Sequence, residues 1–437
     1  MNKTKNKLKK LIILQLILML VFSIYSPICI ADEPTNNDES STTESTSSEI
    51  TILSPHAILI DAKSGQILYE HNAREQAYPA SVTKLMTAII TLENCNLDDE
   101  ITVDKNALLG IPRSYTVAAL QPNEKITVEK VLNVLLIPSA NDAANVLAFH
   151  IAGSKEEFAK MMNKKAEEIG CKNTNFCNPS GIHDDDHFTT AYDMALIGKY
   201  AYTFETIREI AQKTEYELPN LPDGKERKFK TTNTLITPKN QYFYENATGL
   251  KTGYTDKAKS CIVATAKKDD VELMCVILGG DKTEDRKAQR EIDCKTLFDY
   301  GFNNYSSMDV CVKNNSVDKS KVTNLSDTLK DVEIGYSETQ HLLVPKDNSY
   351  VTTYSFKDDI NLPIKKGEPI GSVIYTVDGV EYTVTLIALN DAYPISSKNV
   401  SYLFNVLLIA LVLIFLVSIV KKKNRKKEAK YFKRSLY

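Results

Sequence analysis

Hydrophobic positions recur in three rhythms along this chain. Around residues 57–70, AILIDAKSGQILYE, two apolar runs flank Lys63-Ser64-Gly65, which predicts a β-hairpin. In PASVTKLMTAII, residues 79–90, Val82, Leu85, Met86 and Ile89 share one helical face, with Pro79 and Ser81 as start signals. A second helix is predicted over 128–137, VEKVLNVLLI, with Thr127 as N-cap and Pro138 as its stop. Helical spacing resumes in NDAANVLAFHIAG and continues through 155–169 and 190–212. Three strand runs follow, ENATGLKTGYT, SCIVATAKK and VELMCVILGG, then a closing helix in EDRKAQREIDCKTLFDYGF. Strands flanking a helical middle predict a mixed α/β domain over 51–305 with an antiparallel sheet. From 306 to 395 strand patterns dominate, with Asp378-Gly379 as a hairpin turn, which predicts a small all-β domain.

The third rhythm is unbroken apolarity. Residues 402–420, YLFNVLLIALVLIFLVSIV, hold no charge, and at about 1.5 Å per residue they span about 28 Å, the thickness of a bilayer core. The tail 421–437 carries nine Lys or Arg and one Glu, so the positive-inside rule makes it cytoplasmic and places the preceding chain outside. At the other end, five lysines in residues 1–10 precede an apolar run, and CIA at 29–31 offers small residues for cleavage, so residues 1–31 read as a signal peptide. An uncleaved anchor is the other reading of the same segment. Residues 32–50, polar and rich in Ser and Thr, predict a flexible linker.

Charge narrows the partners. Taking +5 for the first ten residues and +8 for the tail from the overall −3 leaves −16 for residues 11–420. An acidic outer part argues against nucleic acid, and the basic tail suits anionic lipid. Of eight cysteines, seven follow the signal segment and none forms C-x-x-C. Cys261 and Cys275 fall on neighbouring predicted strands and could pair, while buried free thiols are the expectation for most. The run HDDDH at 183–187 resembles a metal site but lies in a polar loop. No cofactor or metal is expected.

Candidate chemistry lies in three short motifs: Ser81-Val82-Thr83-Lys84 at a helix start, Ser139-Ala140-Asn141 in a helix-breaking loop, and Lys251-Thr252-Gly253 on a strand. Each alone has an ordinary structural role: a helix cap, a loop cap, a strand end with a turn glycine. A second S-x-x-K at 316–319 and a second S-x-N at 397–399 stand in polar surroundings without chemistry. The ordered set, each in its own local context, is far more specific. A serine hydroxyl needs an adjacent base, and Lys84, three residues on, shares its helix face. Burial and nearby positive charge lower a lysine pKa and would free that amine to act.

Together the motifs resemble the penicillin-binding proteins and serine β-lactamases, most closely the low-molecular-mass D-alanyl-D-alanine carboxypeptidases. PSANDAANVLA, GCKNTNFCNPSGIHDDDHFTTAYDMALIG and ATGLKTGYT are further similar stretches, and the resemblance covers about residues 51–420. The departures are Ala140 inside S-x-N and Ser180 where the family more often shows histidine. The resemblance implies a penicillin-binding fold and attack by Ser81 on peptidoglycan stem pentapeptides ending in D-Ala-D-Ala. It implies Lys84 as base, Ser139 as proton relay, and β-lactams as acylating inhibitors. Asn141, Lys251, Thr252 and Gly253 would bind substrate, the N–H groups of Ser81 and Tyr254 would form the oxyanion hole, and Arg286 would be a second carboxylate contact. Two alternatives remain: a β-lactamase-like hydrolase, disfavoured because NTNFCNPSG holds no acid for deacylation, and an inactive wall-binding protein.

Overall fold

The computed structural model describes residues 50–434 apart from Pro222, 282–287, 323–324, 358–359 and 395–396. The expected signal segment and most of the linker therefore lie outside the described residues. In chain order the elements are β1 (His56–Asp61), β2 (Ile67–His71), a 3₁₀ turn (Ala80–Thr83), α1 (Lys84–Asn94), β3 (Glu100–Thr102), β4 (Lys125–Thr127), α2 (Val128–Leu136), α3 (Asn141–Ala152), α4 (Lys155–Ile169), α5 (Ala191–Tyr202) and α6 (Glu205–Ala211). There follow β5 (Glu215–Leu218), β6 (Arg227–Lys230), β7 (Ala247–Thr255), β8 (Lys259–Lys268), β9 (Val271–Gly280), α7 (Gln289–Asn304), β10 (Tyr305–Cys311), β11 (Ile334–Tyr336), β12 (Gln340–Pro345), β13 (Val351–Phe356), β14 (Pro369–Val377), β15 (Val380–Ala388) and α8 (Ser397–Arg434).

The main sheet runs β2-β1-β9-β8-β7, antiparallel throughout. Alternation gives it two apolar faces. Cys261 and Val263 on β8, and Met274, Val276 and Leu278 on β9, point into the helical body around the almost wholly buried α1. Ile262, Ala264, Leu273, Cys275 and Ile277 point the other way, onto Leu297 and Phe298 of α7. The expected Cys261–Cys275 pairing is thereby corrected: adjacent strands carry the two thiols on opposite faces, and Cys275 is opposite Ala264 in register. Cys275 Sγ instead lies 3.4 Å from Cys294 Sγ of α7, both thiols free and buried.

Helix boundaries follow their caps. Thr127 accepts from Lys130 N–H at 3.4 Å and starts α2; Pro138 and the left-handed Ser139 separate α2 from α3. The helical stretch predicted over 190–212 divides at Thr203 into α5 and α6. Ser81 does not cap α1. It sits inside the 3₁₀ turn, with Pro79 at that turn's N-cap position and no side-chain cap bond.

The C-terminal β domain holds a sheet ordered β11-β15-β14-β13, with Asp378 (φ 49°) and Gly379 (φ 77°) as the two-residue turn between β14 and β15. It is keyed to the main body. Gln66 Nε2 donates to the Leu343 carbonyl at 2.7 Å, and Leu343 N–H donates to Gln66 Oε1 at 2.8 Å. Leu343 itself packs into the cluster beneath α7, and Tyr305 O–H donates to Asp378 at 2.8 Å. Within α8, Phe404–Arg425 is long and apolar enough to cross a membrane, with mean hydropathy 2.7.

Candidate active site

The 3₁₀ turn, the α2–α3 loop and β7 meet at a cleft of about 420 Å³ lined by Ser81, Ser139, Asn141, Thr252, Gly253 and Tyr254. The three sequence motifs thus converge across 170 residues of chain. Lys84 opens α1 and is fully buried. Its Nζ lies 2.9 Å from Ser81 Oγ, 2.9 Å from Asn141 Oδ1 and 2.6 Å from the Ser180 carbonyl. A neutral amine has two hydrogens and one lone pair. Asn141 and Ser180 accept the hydrogens, which leaves the lone pair for the Ser81 hydroxyl. Burial pushes the Lys84 pKa well below its ordinary 10.5, the Lys251 charge adds to that, and Asp142 opposes it.

Asn141 is oriented for this task. Its Nδ2 donates to the Thr116 carbonyl at 2.9 Å, so its oxygen faces Lys84. Asp142 accepts N–H groups of Ala118 and Leu120 at 2.8 and 3.1 Å and locks the adjoining loop. Its own carboxyl is pushed up by burial against those hydrogen bonds. Ser139 adopts φ 67°, and its buried hydroxyl has no partner among the described residues. That leaves it unengaged at the wall of the cleft.

On β7, Lys251 is buried and donates to the Thr252 carbonyl at 2.8 Å. Burial, then the neighbouring Arg290, push its pKa down to about 7. The Thr252 hydroxyl lies 2.5 Å from Thr232 Oγ1. Gly253 is required by space: a Cβ there would stand 2.7 Å from Ser81 N and 3.0 Å from Val82 N. Tyr254 is 55% exposed at the rim, its hydroxyl 3.2 Å from Asp256.

Arg286 lies outside the described residues. Among the described residues, Arg290 at the start of α7 is an arginine that lines the cleft. Its Nη1 donates to the carbonyls of Gly253 and Cys261 at 3.2 Å each, and its Nε and Nη2 donate to Glu291 at 2.9 and 2.7 Å. Two of its five N–H donors therefore brace the β7–β8 edge, two hold Glu291, and among the described residues one is left for a ligand. Nothing in Gln289-Arg290-Glu291 marks this arginine by sequence, because the burial of Glu291 beside it is settled only by the fold. Ser180 departs from the family pattern in its side chain, whereas its contact with Lys84 is made by its carbonyl. Its hydroxyl turns away to Asn178 at 3.1 Å.

The duplicate S-x-x-K is apart from this cluster: Lys319 donates to the carbonyls of Leu329 and Lys330 in the β domain. In HDDDH, His183 stacks edge-on against Tyr78 while His187 is buried 2.9 Å from Thr83 Oγ1, so the two imidazoles do not share a site. Among the described residues no group of three or more His, Cys, Asp or Glu is arranged to hold a metal.

Residues 41–282 match the family described as D-alanyl-D-alanine carboxypeptidase, and residues 305–393 match the C-terminal domain of penicillin-binding protein 5. The chain is 34% identical over 341 residues to the D-alanyl-D-alanine carboxypeptidase DacF of Bacillus subtilis, covering 76% of this chain and 84% of that one. It is 31% identical over 340 residues to DacC of Escherichia coli, covering 74% and 80%. Penicillin-binding protein 5 from Haemophilus influenzae superposes with a TM-score of 0.65 at 27% identity, over 78% of this chain and 98% of that structure.

Proposed function

The chain belongs to the D-alanyl-D-alanine carboxypeptidase family, and on that premise we propose that it removes the terminal D-alanine of peptidoglycan stem pentapeptides through an acyl-enzyme on Ser81. The observation that carries this reading is the buried Lys84 amine, 2.9 Å from Ser81 Oγ with an acceptor for each of its two hydrogens.

Ser81 Oγ attacks the carbonyl of the penultimate D-Ala, and its proton passes to Lys84 Nζ. The oxyanion is held by the N–H groups of Ser81 and Tyr254. As the C–N bond breaks, Ser139 hands its proton to the departing amine and is reprotonated from Lys84, so D-alanine leaves and Lys84 is neutral again to take a proton from the deacylating water. Water then adds to the Ser81 ester, and its cleavage restores the hydroxyl and releases the shortened peptide. Lys251, Thr252 and the spare N–H of Arg290 receive the substrate's terminal carboxylate. An incoming carboxylate beside Lys251 favours its charged form. Penicillins acylate the same hydroxyl.

A β-lactamase-like role has less support. The loop facing Lys84 delivers the Ser180 carbonyl, and NTNFCNPSG holds no carboxylate to activate a deacylating water. The apolar stretch in α8 acts as the membrane anchor, with the cleft outside the membrane and the basic tail in the cytoplasm.

The test is mass spectrometry of the full-length protein in detergent, incubated with a pentapeptide ending in D-Ala-D-Ala. Release of one D-alanine, and a penicillin adduct mapped to Ser81 that is absent in Ser81→Ala, are expected. Intact peptide with active controls would overturn the proposal.

A further inference from the structure

Ala80, directly before Ser81, holds φ 49°, a left-handed conformation that alanine disfavours. Something must retain it. Thr83 O–H donates to the Ala80 carbonyl at 2.7 Å. With that hydrogen committed, Thr83 Oγ1 can only accept from His187 Nε2, 2.9 Å away. His187 Nδ1 in turn accepts from Cys177 N–H at 3.0 Å. The neighbours thus select the neutral Nε2–H tautomer, and hydrogen bonds run in one direction from Cys177 through His187 and Thr83 to the Ala80 carbonyl. Thr83 and His187 are both buried, and Phe176 meets the imidazole edge-on at 5.5 Å. Gly181 closes the other side of the carbonyl: a Cβ there would stand 1.9 Å from Ala80 O.

That carbonyl and the Ser81 N–H belong to one planar trans peptide unit and point in opposite directions. Tethering the oxygen therefore aims the hydrogen. Ser81 N–H stands at the start of a helical turn, where a donor has no partner in its own helix, and Gly253 leaves the space before it open. Hydrogen bonds in series also polarise the amide and make its N–H a better donor.

We propose that His187 and Thr83 are positioning residues that orient and strengthen the Ser81 N–H as an oxyanion donor. The inference rests on Ser81 being the nucleophile. It gives the second histidine of HDDDH a task within the reaction although it touches no substrate. It also gives a reason for the left-handed alanine, since a relaxed Ala80 would turn the N–H away from the developing charge.

The experiment measures acylation of the full-length protein by a fluorescent penicillin, separating the acylation rate constant from reversible binding. Thr83→Val keeps the shape and removes the hydroxyl; Thr83→Ser keeps the hydroxyl. His187→Leu breaks the series, and His187→Gln can still donate to Thr83. Deleting an oxyanion donor outright typically costs about 10²–10³ in rate. Misaiming one should therefore slow acylation about ten- to a hundredfold in Thr83→Val and His187→Leu. Reversible binding should stay within about twofold, and the Ser and Gln variants should recover to within about threefold of the parent. A peptide boronate that forms a tetrahedral adduct on Ser81 should lose affinity in step with the rate. If Thr83→Val does not fold, the two His187 variants decide alone. Near-parental acylation in the folded Val or Leu variants, or no recovery in Ser and Gln, would overturn the proposal. Ser81→Ala separates the premise: an adduct in that variant sinks the nucleophile assignment, whereas fast Thr83→Val beside an inert Ser81→Ala sinks only the positioning role.

Discussion

The two folded regions treat polarity in opposite ways. Around the cleft the protein buries Lys84, Asn141, Asp142, His187, Lys251 and Glu291, whereas in the C-terminal β domain no charged side chain among the described residues is buried. Backbone strain divides the same way. In the β domain the left-handed non-glycine residues are Asn314, Asn348 and Asp378, types that tolerate the conformation in turns. In the main body they include less tolerant types: Ala80 and Ser139 at the cleft, and also Ala119, Lys239 and Lys259. Buried charge and strain both cost stability, so the main body holds them, at the cleft among other places, by dense hydrogen bonding, and the β domain does without buried charge. The β domain is the fold that patterning alone makes; the cleft is the fold bent to a reaction.

The largest test of that contrast is Lys84→Arg. Arginine keeps the charge but cannot serve as a base. Penicillin adduct formation at neutral pH should fall by about 10²–10⁴, the usual worth of a general base, with circular dichroism unchanged. Near-normal acylation would make Lys84 one more structural residue.

Next is Lys251→Ala. A charged hydrogen bond contributes about 1.5–3 kcal/mol, so acylation by peptide and penicillin should weaken by about ten- to 150-fold in stopped-flow assays. The pH profile gives a third test. Lys251 sits at about 7 in the free protein and must be charged to meet a carboxylate. Raising the pH through 7 should therefore lower kcat/KM, by about tenfold per unit once past it. The acid limb reports Lys84, which must be neutral and whose pKa is also depressed. Lys251→Arg should abolish the alkaline fall near 7; if the fall persists, another group causes it.

The smallest effect tests the β side. Gln66→Leu removes two hydrogen bonds to the Leu343 backbone and should cost about 1–3 kcal/mol in denaturant unfolding while leaving soluble-peptide turnover unchanged. A chain ending near Tyr305 should likewise keep its KM but unfold more easily, because Leu343 leaves the cluster beneath α7. A folded but inert fragment would show that the β domain takes part in the chemistry.

Much of this was legible in sequence because its signals are local. The hairpin at Gly65, the Thr127 cap, the Pro138 break and the Asp378-Gly379 turn each depend on a few neighbouring residues. The ordered motifs pointed to the cleft although their contacts are long-range, since each carries its own local context. What was not legible depends on facing and register. Cys261 and Cys275 look like partners until β8 and β9 place them on opposite faces. Arg290 offers no sequence signal of its own role, because its reach to the carbonyls of Gly253 and Cys261 depends on how α7 packs against β7 and β8. Ser81 reads as a helix cap because a 3₁₀ turn of four residues is too short to show a period different from that of the helix that follows.

Ser180 and Gly181 have a consequence for how this loop can change over time. Position 180 serves Lys84 through its carbonyl, so a side chain that fits its buried space leaves that contact intact and the site can drift within that limit. One residue on, any side chain collides with the Ala80 carbonyl, and drift is forbidden. Saturation mutagenesis under selection for activity should return several residues at 180 and glycine alone at 181. In such a loop the variable position can be as close to the reaction as the invariant one.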